Sequence, residues 1–241
     1  MTRPTAVPPS LTSPGGAFPV SYVDNLPPPK QKPDDIVIRE TGEHIISREP
    51  SGDSIVCLYP TFLSLKEADS AFATLLEELT WKQNADRHGL QPRLTAWYGP
   101  KSYTYSKLTH DANEKWHPTL EDIRTRICAL TGQKLLNSVL CNLYRDHKDH
   151  VGWHSDDEPA LGKNPYIASI SLGEVRLFQM RKKPPPESGD DYSYSQLVKI
   201  PLPHGSLLIM KGSSQDDWQH CVASEYHDKQ ARINLTFRTI Y

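Results

Sequence analysis

Hydrophobic and polar positions divide the chain into three textures. Residues 1–35 hold nine of the 21 prolines and few large apolar side chains. Such a segment cannot bury enough surface to offset its ordering entropy, and it is expected to be disordered. Residues 36–53 are transitional, with Ile36-Val-Ile38 and Ile45-Ile46 able to add an edge strand, and the Pro-rich tail is set at residues 1–50. Helical periodicity follows: Ser64-x-x-Glu67 reads as a capping box, with Phe72, Leu75, Leu76 and Leu79 as one apolar stripe behind it. A second helix is expected from Pro118, with Leu120, Ile123, Ile127 and Leu130 on one face and Gly132 just past its end. Beyond Gly132 come short strands at 137–144, 166–172, 175–180, 197–202, 206–210, 219–223 and 231–240, parted by Gly, Pro and polar turns. Helices followed by strands predict a mainly β chain with flanking helices, an α+β arrangement whose two antiparallel sheets form a distorted jelly roll. The folded part is then one domain, 51–241, with a helical portion at 51–135 and a β core at 136–241.

Composition narrows the function classes. A length of 241 residues supports one domain and a tail, expected as a monomer. The formal net charge of −2 is not that of a generally basic nucleic-acid binder, so any such contact must rest on local patches such as Arg181-Lys182-Lys183, or Arg87 with Arg93. Cys57, Cys128, Cys141 and Cys221 are scattered without a C-x-x-C pair, which argues against a zinc site or a disulfide frame and for a reducing compartment, nuclear and/or cytoplasmic. No apolar run approaches membrane-spanning length, and no secretory leader is expected.

The last 100 residues carry the chemistry. By composition a His-x-acid tripeptide should arise about once by chance, and the chain has two, His147-Lys-Asp149 and His154-Ser-Asp156. The first lies in a polar run that reads as a solvated loop. The second follows Trp153, and on an extended chain residues i and i+2 share a face, so His154 and Asp156 can hold one ion together. With His220 they make the two-histidine, one-carboxylate set of a non-haem iron(II) oxygenase, which leaves three positions for an oxidisable co-substrate and O2. Arg232 and Arg238, six apart, project from one face of a strand as fixed cations for a dicarboxylate, with Asn234 and Thr236 between them. Asn142 and Tyr144 repeat the i, i+2 spacing on another strand. Blander alternatives remain open at this point: a surface turn, a structural histidine, a solvated strand face and satisfied core polars.

These segments, Asn142-Leu-Tyr144, Trp153-His-Ser-Asp-Asp-Glu158, Ala168-Ser-Ile-Ser-Leu-Gly173, His204-Gly-Ser-Leu-Leu-Ile-Met210, Trp218-Gln-His220 and Arg232-Ile-Asn-Leu-Thr-Phe-Arg238, resemble in order the AlkB family of iron(II)/2-oxoglutarate dioxygenases. Pro92–Gly99, Tyr103–Ser106 and Met180–Pro186 look most like its homologue-three branch, with homologue two next. The resemblance covers roughly residues 55–241 and implies the double-stranded β-helix form of the jelly roll, with iron at its open mouth. It implies His154, Asp156 and His220 as iron(II) ligands. It also implies Asn142, Tyr144, Arg232 and Arg238 as contacts of the 2-oxoglutarate co-substrate, helped by Asn234. Arg232 with Tyr144 would take the distal carboxylate, and Arg238 with Asn142 the end nearest the metal.

Substrate choice is expected from the segment before the β core, where Trp81, Arg93, Trp97, Tyr98, Tyr103 and Tyr105 interleave aromatic faces with a cation. Aromatic faces stack on an unpaired base and a guanidinium contacts phosphate, although part of the cluster must be core. The resemblance implies that Trp81, Tyr103 and Tyr105 border the base, that Asp157 and Glu158 lie near its polar edge and that Arg181 is close by. Carboxylates there would favour the positive charge of 1-methyladenine or 3-methylcytosine. The expected reaction is oxidative demethylation of N-alkylated bases in DNA and/or RNA, releasing formaldehyde, succinate and CO2. Single strands are expected to be preferred, because the only free apolar wedge in the 82–96 loop is Leu90. Alternatives are a 2-oxoglutarate-dependent protein side-chain hydroxylase and a non-catalytic reader of methylated nucleic acid.

Overall fold

The computed structural model describes residues 31–86, 89–105, 108–133 and 135–241. The Pro-rich segment 1–30 lies outside the described residues. Two sheets face each other. The larger has seven strands in the order Gly42–Glu49, Gly52–Tyr59, Ser206–Gly212, Ile167–Gly173, Arg232–Arg238, Ser138–Tyr144 and Leu94–Tyr98. The smaller has five, in the order Ile36–Val37, Leu197–Leu202, Arg176–Lys182, Trp218–Val222 and Val151–His154. Apart from the parallel pairing of Ile36–Val37, the pairings in both sheets are antiparallel. This is the expected jelly roll.

Helix α1 (Leu65–Glu78) starts at the expected capping box. The Ser64 side chain accepts from the Glu67 N–H, and the Glu67 carboxylate accepts from the Ser64 N–H at 2.8 Å. Helix α2 (Pro118–Thr131) ends at Gly132, whose φ of 70° is the left-handed conformation that favours glycine. The apolar faces are narrower than expected. Ala68, Ala71 and Leu75 of α1 and Leu120, Ile123 and Ile127 of α2 are buried, whereas Leu76 and Leu130 are exposed.

The large sheet has two unlike faces because its strands alternate. On one side Ile233, Leu235 and Phe237, with Val139, Cys141, Leu143, Ala168 and Ile170, join the helices in one core. The other side faces the small sheet, where Leu208, Met210, Met180, Ile200, Trp218 and Val222 form a second core. Between the sheets, beside that second core, lies a polar row from the central strands.

The tail boundary moves. The edge strand suggested at Ile45-Ile46 is present and longer, as Gly42–Glu49 hairpinned onto Gly52–Tyr59, which itself pairs with Leu207–Gly212, so the folded part begins before residue 51. The His and Glu positions of Gly42–Glu49 masked the alternation, because an edge strand faces water on one side. Val151–His154 and the two-stranded pairs Ala85–Asp86/Gly89–Leu90 and Tyr103–Tyr105/Leu108–His110 were also not anticipated.

Replacing Ser64 with Ala is expected to lower stability by about 1 kcal/mol, read from denaturant midpoints. The Ser64 side chain and N–H, then Arg126, hold the Glu67 carboxyl at about 2, below its ordinary 4.5. A depressed value means that the Glu67 contribution is complete above the ordinary carboxylate range and is lost as pH falls towards 2. The Ser64→Ala deficit should therefore shrink on acidification.

Candidate active site

A cavity of about 600 Å³ opens between the sheets and is lined by the polar row. Period-two alternation places Arg232, Asn234, Thr236 and Arg238 on its wall, and the neighbouring strand adds Asn142 and Tyr144. The small sheet contributes His154 and His220, which sit opposite each other in register with ring centroids 4.2 Å apart. Asp156 lies just past the end of the His154 strand rather than within it, and it still reaches the same point. One donor atom each from His154, Asp156 and His220 falls within 4.8 Å of the others.

The donors are in the right chemical state for a cation. His154 Nδ1 is 2.8 Å from the Gly152 carbonyl, which can only accept, so Nδ1 is the donor there and Nε2 is the nitrogen turned to the site, 3.8 Å from Asp156 Oδ1. Burial pulls His220 down to about 3, with a further contribution from His154, so its ring is neutral near pH 7. Its Nδ1 has no hydrogen-bond partner among the described residues. Burial alone would raise the Asp156 carboxyl, but Arg238, His220 and His154 reverse this and hold it at about 2. Asp156 divides its oxygens: Oδ2 accepts from Arg238 Nε (3.2 Å) and Nη2 (2.6 Å), leaving Oδ1 towards the histidines. The Gln215 side-chain oxygen accepts the Asp156 N–H at 2.9 Å and fixes the turn that aims it. Two imidazoles and one carboxylate on one side of an open cavity fit a non-haem iron(II) ion.

The arginines fit an anion. Arg232 is fully buried and donates to Ser171 Oγ at 2.9 Å, while its Nε and Nη1 have no partner among the described residues. Arg238 Nη1 is likewise without one. Buried donors left unpaired by protein are costly unless a ligand takes them. Arg238 lies at the metal end, through Asp156, and Arg232 at the other. Tyr144 stands opposite Arg232 in register, with the Arg232 guanidinium 5.1 Å from its ring centre. Asn142 and Arg238 both line the cavity without touching each other. Register puts Asn142 opposite Asn234 and Ser138 opposite Arg238, and Asn142 bonds Arg93 Nε (2.9 Å) and Asn234 (3.3 Å) instead.

The substrate residues divide. Arg93, Tyr103 and Glu158 line the cavity. Tyr103 is buried and stacked on Trp97 at 4.7 Å, and it hydrogen-bonds Glu158, whose carboxyl is pushed up by burial and by Asp156. Trp81 instead packs against the helix-side core and donates Nε1–H to the Leu76 carbonyl, so it braces the end of α1. Asp157 is exposed and does not line the cavity. Arg181 is also outside the lining, held by Gln219 and flanked by the rings of Trp153 and Tyr192. The Tyr105 side chain lies outside the described residues. His150 and Gln91 line the cavity without having been anticipated, since no spacing or motif marks them, and Trp153, quoted only as part of a motif, lines it too.

Residues 55–238 match the 2OG-Fe(II) oxygenase superfamily. The alpha-ketoglutarate-dependent dioxygenase alkB homolog 3 of Bos taurus is 54% identical over 216 residues, covering 88% of this chain and 75% of its own. The chain belongs to the AlkB family of 2OG-Fe(II) oxygenases. The DNA oxidative demethylase ALKBH2 of Mus musculus is 35% identical over 202 residues, covering 80% of this chain and 83% of its own. Among solved structures, the non-heme alpha ketoglutarate dependent epimerase SnoN from nogalamycin biosynthesis shares the fold, at a TM-score of 0.54 and 16% identity over 77% of this chain and 78% of its own. As an AlkB-family member this protein is an iron(II)- and 2-oxoglutarate-dependent dioxygenase that uses O2.

Alanine at His154, Asp156 or His220 is expected to abolish stoichiometric cobalt(II) or iron(II) binding in a spectroscopic titration and 2-oxoglutarate turnover with it, because a facial set has no spare protein ligand. The decoy His147→Ala should be nearly silent. Its ring faces Asp228 (3.2 Å) away from the cavity. Arg232→Lys should raise the KM for 2-oxoglutarate about tenfold or more while leaving that for oligonucleotide nearly unchanged, since an ammonium cannot reproduce a two-pronged fork.

Proposed function

We propose that this dioxygenase removes N-methyl groups from alkylated nucleic-acid bases such as 1-methyladenine and 3-methylcytosine, in single-stranded DNA or RNA. The observation that carries the reading is the juxtaposition at the cavity wall of the His154–Asp156–His220 set with a buried aromatic, Tyr103, and a half-buried acid, Glu158. A flat ring and a carboxyl beside an oxidising centre suit a flat, positively charged base. The names of the relatives, one a DNA oxidative demethylase, support the same class.

In this reading His154, Asp156 and His220 hold the iron. Arg232 and Tyr144 take the far carboxylate of 2-oxoglutarate, and Asn142, Asn234 and Arg238 complete its cradle. Iron(II) with 2-oxoglutarate and O2 supplies the oxidation of the methyl carbon, the balance being succinate, CO2, formaldehyde and the unmethylated base. Arg238 keeps the Asp156 carboxylate ionised and turned towards the metal position. Tyr103, backed by Trp97, offers a rigid face for the base, and the apolar residues behind the cavity, Phe178, Met210 and Val222, exclude water. The protein-hydroxylase and reader alternatives have no comparable observation in their favour. All four cysteines are free, which supports a nuclear or cytoplasmic location. Among the described residues no helix is long and apolar enough to cross a membrane.

Strand preference follows from how a base is reached. Extracting one from a duplex costs a few kcal/mol and leaves a gap that duplex-acting enzymes fill with an apolar wedge. Leu90, 67% exposed on the Ala85–Asp86/Gly89–Leu90 pair, is a single aliphatic side chain with no aromatic companion described beside it. An oligonucleotide bearing one 1-methyladenine should be demethylated at least several-fold faster alone than annealed to its complement. Equal or faster repair of the annealed form overturns the single-strand reading.

A further inference from the structure

We propose that Arg176 is a second cation of the co-substrate pocket: seated against Tyr144, it sets jointly with Glu225 how tightly the far carboxylate of 2-oxoglutarate is held. The inference rests on the reading that Arg232 binds that carboxylate.

Arg176 opens the Arg176–Lys182 strand and is 1% exposed. Its guanidinium is clamped by main-chain carbonyls, with Nη2 donating to Ala223 (2.6 Å) and Asp149 (3.0 Å) and Nη1 to Asp146 (3.2 Å). It does not line the cavity. It reaches the cavity only through Tyr144, a lining residue whose ring centre is 5.7 Å from the Arg176 guanidinium and 5.1 Å from that of Arg232. One phenol ring thus contacts two buried cations. Arg176 has a counter-charge, Glu225 Oε1 at 3.0 Å from its Nε. Arg232 has no carboxylate partner among the described residues, only the Ser171 hydroxyl and Tyr144. Burial pulls the Arg232 guanidinium below its ordinary value, Tyr144 opposes this, and Arg176 adds to it.

Two like charges about one ring, with Glu225 on Arg176 the one acid paired to either among the described residues, leave this end of the pocket with an excess of positive charge. An anion arriving at Arg232 relieves both the missing counter-charge and the repulsion from Arg176. Glu225 limits that excess. It is 29% exposed and shared, with Lys229 at 3.5 Å from its other oxygen, so its hold on Arg176 is incomplete. The Arg176–Glu225 pair is therefore a setting on co-substrate affinity that acts through charge rather than contact.

Removing either partner breaks the same ion pair, so a purely structural role predicts losses in both variants. A charge role predicts opposite signs. In calorimetric titrations of 2-oxoglutarate into the manganese(II)-loaded full chain, without turnover, Glu225→Gln should bind roughly threefold to fivefold tighter than wild type, as a unit charge several ångströms away at intermediate dielectric implies. Arg176→Met should bind about tenfold weaker, with Arg176→Lys recovering part of the loss. KM for the oligonucleotide should be unchanged in all three, and thermal melts establish that each is folded. Glu225→Gln decides the matter even if Arg176→Met fails to fold, because it leaves the three carbonyl bonds of Arg176 in place. Unchanged or weaker binding by Glu225→Gln overturns the inference. An Arg232→Met control separates the two levels: wild-type affinity there defeats the assignment of the carboxylate to Arg232, whereas lost affinity there with no gain in Glu225→Gln defeats only the role of Arg176.

Discussion

The site depends on one ion pair, Arg238 with Asp156, buried where the two sheets meet. A carboxylate at full burial is unfavourable unless a cation compensates it, and a guanidinium at full burial is unfavourable for the same reason. Together they are tolerated, and the geometry of the fork leaves one carboxylate oxygen uncommitted beside the two histidines. The pair also bridges architecture, since Arg238 belongs to the large sheet and Asp156 to the loop leaving the small one. The contact that ties the large sheet to that loop is thus the same one that leaves a carboxylate oxygen free to act as a ligand.

The same strand explains why the cavity is polar without the fold being weak. From Arg232 to Arg238, odd-numbered residues build the helix-side core and even-numbered ones build the pocket wall. Side-chain alternation makes that separation obligatory, because a slip of one residue would put arginines into the helix core and phenylalanine into the site. Antiparallel neighbours on both sides, each with its own inward polar residues, pin the register.

Much of this was legible in the sequence wherever a period of two or of 3.6 carries the information. The helix caps, the β-core strands and the inward set from Asn142 to Arg238 all follow from local spacing. What failed was what spacing cannot carry. The hydrogen-bond partners of Asn142, Asn234 across the strand pair and Arg93 from a distant segment, are decided by register and tertiary packing. Trp81 and Arg181 carry the right chemistry, but the helix end claims one and the outer face of the small sheet the other. Leu76 and Leu130 fit a helical stripe, yet the buried faces are set by how closely α1 and α2 approach their neighbours. Arg176, flanked in sequence by Val175 and Leu177, gives no hint of its three carbonyl bonds, all made to distant loops.

The hairpin formed by Gly42–Glu49 has a consequence for the margin of the large sheet. Without it, Gly52–Tyr59 would present a row of unpaired N–H and C=O groups flanked by Val56 and Leu58, which are now buried. An open edge of that kind is a template for another chain. The outermost strand carries Glu43, His44, Arg48 and Glu49 instead, charged or ionisable groups that discourage further pairing. A polypeptide begun at residue 51 would keep every residue of the oxidising centre and still be prone to self-association through that margin.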